Sequence, residues 1–213
     1  MFNGTLSSHG VLQTRVMRKQ RAPLSWRVRN ALRWTFVWGW FCNALARQFT
    51  KLTQIPTMIG ELSIQVRRAN GQVVDYGIVS RRVVTNAAVA YMVDDLDNNA
   101  GSADISLWNF HGCGTGTTAE NATDSALETE STTVLDPNST RATGTRSQPS
   151  ANVYRTVGTL TFDGAAAVTE HGVLTQEATG GGTLLDRSVF AAINVDDGDS
   201  IQFTYDYTLT AGS

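Results

Sequence analysis

Residues 61–69 alternate apolar Leu62, Ile64 and Val66 with polar neighbours, the period-two mark of a strand with one buried face. Asn70-Gly71 follows, a dipeptide that tolerates positive φ at both positions and so predicts a hairpin turn, with 73–80 as the returning strand. Thr85 is placed to cap a short helix running to about Asp97, with Ala88, Tyr91, Met92 and Leu96 on its inward side. A strand over 105–110 then gives way to a stretch, 112–150, of Gly, Thr, Ser, Ala and Asn without hydrophobic period. It reads as a loop, and loops of that length are usually functional or ordered by partners. Strands resume at 152–162, 168–176, 184–193 and 200–210, separated by Asp163-Gly164, Gly180-Gly181-Gly182 and Asp197-Gly198. In the last of them Ile201, Phe203, Tyr205, Tyr207 and Leu209 share one face. The expected fold class is mainly β: an antiparallel β-sandwich or jelly-roll-like body over 56–213, with one short helix.

The first 55 residues have a different texture. Residues 1–22 read as an extended polar and basic arm, and Pro23, which loses nothing by lacking an N–H in a first turn, opens a helix expected over about 24–52. Arg29 and Arg33, like Arg47 and Lys51, stand four apart and share a helical face. The stretch 34–46 is apolar nearly all round but shorter than the roughly 18–20 residues needed to cross a bilayer.

Charge sharpens that division. Nine of the chain's 17 basic residues fall in the first sixty positions, where there is no Asp or Glu; the rest holds eight bases and all 19 acids. A formal net charge of −2 therefore hides about +9 in front and −11 behind, and such asymmetry signals different partners for the two parts. Four of the five tryptophans lie between Trp26 and Trp40. The 41% hydrophobic content excludes wholesale disorder. Two cysteines, Cys42 and Cys113, exclude a disulfide scaffold and a four-cysteine zinc site.

Four constellations bear on chemistry. His111, Cys113 and His171 are the only set suited to a thiolate nucleophile or a zinc ion, but they lack a fourth ligand at recognisable spacing, so packed or surface histidines and a buried free thiol are favoured. The alternate glycines of GCGTGTTAE (112–120) lack the lysine of a phosphate loop and run into acid, which favours a turn or bulge. Asp94-Asp95-Leu96-Asp97 and Asp196-Asp197-Gly198-Asp199 supply hard oxygens for calcium without EF-hand spacing; a helix end and a tight turn are the simpler readings. Glu170 and Glu177 show no sign of a sugar cleft.

The runs GCGTGTTAENATDSALETE (112–130), TRATGT (140–145), NVYRTVGTLTFDGAAAVTEHGVLTQ (152–176) and GGGTLLDRSVFAAINVDDGDSIQFTYDYTL (180–209) resemble a family of tailed-bacteriophage structural proteins, and 61–95 is similar to its front portion. The resemblance covers about residues 60–213 and lies in order and spacing rather than in one motif. It implies a virion component without enzymatic activity; from the residues themselves, no cofactor and no metal site is expected. The expected role is a head-associated decoration or cement protein; the alternatives are a connector, tail or baseplate part, and an internal nucleic-acid-binding protein. The implied partners are other virion proteins, such as the major capsid protein or connector and tail subunits, and further copies of the chain. In the arm, Trp26, Arg29, Arg33, Trp34, Trp38, Trp40, Phe41, Arg47 and Lys51 are the expected partner-binding residues, rings filling pockets and cations pairing with acidic neighbours. Nucleic acid is an alternative partner for the arm, since interleaved cations and aromatics suit phosphate contact and stacking; a membrane interface is the less favoured one.

Overall fold

The alternation seen in the sequence becomes two facing sheets. The structure, a computed structural model, describes residues 4–6, 12–14, 20–31, 45, 57–82, 84–97 and 103–211. Strands β1 (Gly4–Leu6) and β2 (Leu12–Thr14) form a small antiparallel pair. Then come β3 (Gln20–Arg21), α1 (Leu24–Ala31), β4 (Thr57–Arg67), β5 (Val73–Arg82) and α2 (Asn86–Asp97). A 3-10 turn (Ile105–Leu107) precedes β6 (Phe110–Gly114), β7 (Leu135–Asp136), β8 (Ala142–Thr143), β9 (Thr145–Ser150), β10 (Val153–Phe162), β11 (Ala166–Leu174), β12 (Leu184–Val195) and β13 (Ser200–Thr210).

The larger sheet runs β3-β5-β4-β13-β10, with β7 and β9 sharing the outer edge of β10; the smaller runs β12-β11-β6-β8. All pairings within them are antiparallel except that of β3 with β5. The inward faces meet in one core of Leu62, Ile64, Val66, Phe162, Phe190, Ile193, Ile201 and Phe203. A second cluster at one end joins Tyr205 and Tyr207 to Val84, Ala88, Trp108 and Leu185. The chain is a β-sandwich, and β13 buries Ile201, Phe203, Tyr205 and Tyr207 on the expected face, while Leu209 emerges to solvent at its end.

Local chemistry explains several boundaries. Gly71 has φ 82°, as the Asn-Gly hairpin requires. Thr85 caps α2 through its Oγ1, which accepts from the Ala88 N–H at 3.1 Å. Two expectations are corrected. Leu96 is 84% exposed, because α2 turns only Ala88 fully inward and Tyr91 and Met92 partly. Residues 105–110 do not form one strand: Asp104 accepts from the Ser106 N–H and starts the 3-10 turn, so the strand begins only at Phe110.

The open side between β5 and β12 is closed by residues 20–31. Gln20 and Arg21 add to the edge of β5, and the Ala22 N–H donates to the Asp75 carbonyl. On α1, Trp26 is 5% exposed; its Nε1–H reaches the carbonyls of Ala191 (2.9 Å) and Ala192 (3.1 Å) on β12, and its ring stands edge-on to Tyr76 at 4.6 Å. Asn30 spans the seam, donating to the Val79 carbonyl on β5 and accepting from the Ala191 N–H on β12. Bare strand edges invite pairing with other chains, and a helix that occupies their backbone groups removes that hazard. The boundary drawn by charge near residue 56 therefore differs from the one drawn by packing, which takes 20–31 into the body.

Candidate functional site

The long polar stretch is held against the small sheet by buried charge. On β11, Glu170 lies directly opposite Gly114 of β6, and Gly172 opposite Gly112. Side chains two apart share a face, so the outward face here is one glutamate among three glycines. The loop backbone fills the room they leave: a Cβ on Gly114 would stand 2.2 Å from the Thr129 carbonyl oxygen, and one on Gly116 would stand 2.6 Å from the Glu128 Cβ. Thr115 and Ser131 then exchange backbone bonds with Thr129 and Cys113, so the returning loop pairs with β6. The alternate glycines are a packing requirement of this double layer.

Glu170 is fully buried and its carboxylate takes four donors. Oε1 accepts from the N–H of Thr129 (2.7 Å) and of Gly116 (3.0 Å); Oε2 accepts from the Glu128 N–H (3.0 Å) and from Arg187 Nε (2.8 Å). Arg187, on β12, spends its other nitrogens on Asp124 and Glu128, both at 3.1 Å. Thr118, Thr123, Asp124, Ser125, Glu128 and Arg187 line a cavity of about 330 Å³ at the mouth of this cluster. Arg187, the one cation lining it, is already paired with Asp124, Glu128 and Glu170, so the charge at the cavity is net negative and does not suit an anion.

A second buried arginine fixes the far end of the loop. Arg141, 3% exposed, forks onto Glu130 (2.6 and 3.0 Å) and donates from Nη1 to the carbonyls of Gln176 and Gly181. Its backbone N–H goes to the Glu177 carbonyl. The Glu177 carboxylate is exposed and accepts from Thr143 Oγ1, whereas that of Glu170 is buried, so the two carboxylates face different partners.

The structure brings His111, Cys113 and His171 together, with His171 paired directly opposite Cys113, and seals all three at 0% exposure inside the sandwich. His111 Nδ1 lies 3.0 Å from His171 Nε2, and His111 Nε2 lies 3.1 Å from Thr156 Oγ1, whose hydroxyl donates to Asn109 Oδ1. That direction fixes the rest. Thr156 must accept from His111 Nε2–H, leaving Nδ1 bare to accept from His171 Nε2–H. Both imidazoles are neutral: burial depresses His111 to about 3, and burial with the neighbouring His111 takes His171 well below its ordinary value. The His171 ring also stacks on Phe203 at 4.4 Å. Burial pushes the Cys113 thiol up to about 12, far from the range of a reactive thiolate.

The acidic turn after β12 is structural. Asp199 accepts from Arg68, from the Ala69 N–H and from the Asp196 N–H. Burial alone would raise its carboxyl, and those hydrogen bonds, led by Arg68, outweigh burial and lower it. The other acidic run ends α2, where Asp94 and Asp97 are exposed. Among the described residues, no three His, Cys, Asp or Glu side chains are grouped to hold a metal ion, and no helix is long and apolar enough to cross a membrane.

Of the arm residues expected to bind partners, Trp26 is spent on the chain's own core, as described above, and Arg29 is exposed on α1. Arg33, Trp34, Trp38, Trp40, Phe41, Arg47 and Lys51 lie outside the described residues, as does the expected helix beyond Ala31 apart from helical Leu45. The sequence reading missed Glu130, Arg141 and Arg187. The signal was present in Leu184-Leu185-Asp186-Arg187-Ser188-Val189-Phe190, where charge interrupts an otherwise apolar strand. Comparison with family models, with curated proteins and with solved structures finds no match.

Proposed function

We propose that the chain is a non-catalytic structural component of a tailed-phage virion, a head-associated decoration or cement protein. The observation that carries the structural part is the use made of reactive side chains. Glu170, Arg187, Arg141, Glu130 and the two buried histidines are engaged with other groups of the fold, holding one long loop and one sandwich interior in place. A rigid sandwich with a pinned surface loop suits repeated weak contacts on a symmetric shell, which gain through effective concentration. The phage assignment rests on the likeness in order and spacing over residues 60–213. A connector, tail or baseplate position is the alternative within the same class.

The test uses particles of the phage that encodes the chain. The protein should co-purify with them at fixed stoichiometry and be visible on the head in imaged particles. Density at the connector or tail would replace the head assignment, and absence from particles would overturn the proposal. Trp34→Ala, Trp38→Ala and Trp40→Ala together should leave the body folded and reduce incorporation. Deleting 1–55 is not a fair test, since it removes the Trp26 and Asn30 contacts that close the sandwich.

A further inference from the structure

Two helices on the same side of the sandwich carry apolar stripes with opposite charge. On α1, Trp26 and Asn30 point inward, and the opposite face presents Leu24 (72% exposed) and Val28, four residues apart. Arg27 and Arg29, both exposed, flank that stripe, and α1 contains no acid. On α2, Val89, Val93 and Leu96 stand at i, i+4 and i+7 and are all exposed. The row beside them is Ala90, Asp94 and Asp97, exposed too, and α2 contains no base. Aspartates in the last turn meet the negative end of the helix dipole, an unfavourable place unless an external cation compensates.

Both helices lie along β12. Residues leading into α2 bond to its start, the Thr85 N–H and Oγ1–H donating to the carbonyls of Leu185 and Leu184. Trp26 and Asn30 of α1 bond to it at Ala191 and Ala192. Six residues of strand separate the two attachment points by roughly 20 Å. One side of the molecule thus bears a cationic apolar ridge at one end and an anionic apolar ridge at the other.

We infer that this side is a self-complementary interface, with the chain forming a twofold dimer in which α1 of each copy packs on α2 of the other. A twofold axis between the ridges superimposes Leu24 and Val28 on Val89, Val93 and Leu96 twice over. It brings Arg27 and Arg29 of each copy to Asp94 and Asp97 of its mate. The contact closes on itself, as an isologous interface must. The inference uses only described residues and does not depend on the virion assignment, so failure of either leaves the other standing.

The experiment is sedimentation of the full chain with charge reversals, at low and high salt. The wild type should sediment as a dimer that weakens as salt rises. Arg27→Glu/Arg29→Glu and Asp94→Lys/Asp97→Lys should each be folded monomers under conditions where the wild type is dimeric, folding being checked by unchanged circular dichroism and thermal midpoint. Mixing the two variants should restore a dimer containing one of each, because each then meets opposite charge at both ridges. Placing all four reversals on one chain should restore a homodimer. A wild type that stays monomeric across the micromolar range overturns the inference, as does failure of the mixed variants to associate. So does release of the chain's own residues 32–56 to protease in the α2 variant without change in mass, which would assign that segment as the cover of α2.

Discussion

Glu170→Gln isolates the buried charge that holds the long loop, because the amide keeps the shape of the carboxylate. One amide oxygen can still accept from Gly116 and Thr129. The amide nitrogen then faces the Glu128 N–H and Arg187 Nε–H, two donors that had been accepted by Oε2. A buried donor without an acceptor costs about 1–3 kcal/mol, and breaking a buried ion pair from one side costs about 3–5 kcal/mol. Arg187 retains Asp124 and Glu128, so a loss of roughly 3–5 kcal/mol is expected rather than more. For a chain of this size each kcal/mol moves the midpoint by about 2–4 °C, giving a fall of roughly 6–20 °C. Calorimetry measures that fall, and amide exchange should show protection lost first at Gly116, Glu128 and Thr129. A midpoint within about 2 °C of wild type, with exchange at those amides unchanged, would refute the account of the loop.

The histidine pair makes stability acid-sensitive. Folded His111 and His171 titrate below the ordinary value near 6.5, so the unfolded chain binds their protons first. Their contribution is complete above about pH 6.5 and is lost as pH falls, for His111 down to about 3, at up to about 1.4 kcal/mol per pH unit for each ring that stays neutral in the fold. Between pH 6.5 and 5, before most carboxylates titrate, the urea midpoint should fall steadily; a flat profile there would mean that the rings are not buried as neutral species. Trp26→Ala should cost about 3–5 kcal/mol by denaturant unfolding and promote self-association through the uncovered edge of β12. A loss under about 1 kcal/mol would place the ring outside the core.

The strands were legible where burial is one-sided. In β4 and β13 the alternation is a direct imprint of one wet and one dry face. Thr85 was legible as a cap because the capping bond spans only three residues. The loop was not, since its order comes from partners far along the chain: Glu170 reaches Gly116, Glu128 and Thr129, and Arg141 reaches Gln176 and Gly181. Composition rich in Gly, Thr and Ser is the same whether such a segment waves in water or is clamped. The place of α1 was hidden for a related reason. Charge drew attention to the arm as a unit, while two side chains, Trp26 and Asn30, decided that its helix belongs to the body.

The clamped loop changes what counts as a permissive site for engineering. Length and polarity would recommend residues 115–140 for grafting a peptide or a label. Yet this is where the backbone of one layer is threaded between glycines of another, so an inserted residue would displace Thr129 or Glu128 from the Glu170 carboxylate and unseat the layer. The short turns are the hospitable ones. The Asn70-Gly71 hairpin tip is the case in point: Asn70 is exposed and the turn takes no part in clamping the loop, unlike Gly180, whose N–H donates to Glu130. A surface display built on this sandwich would therefore graft its cargo at the tightest bends and leave the longest connection untouched.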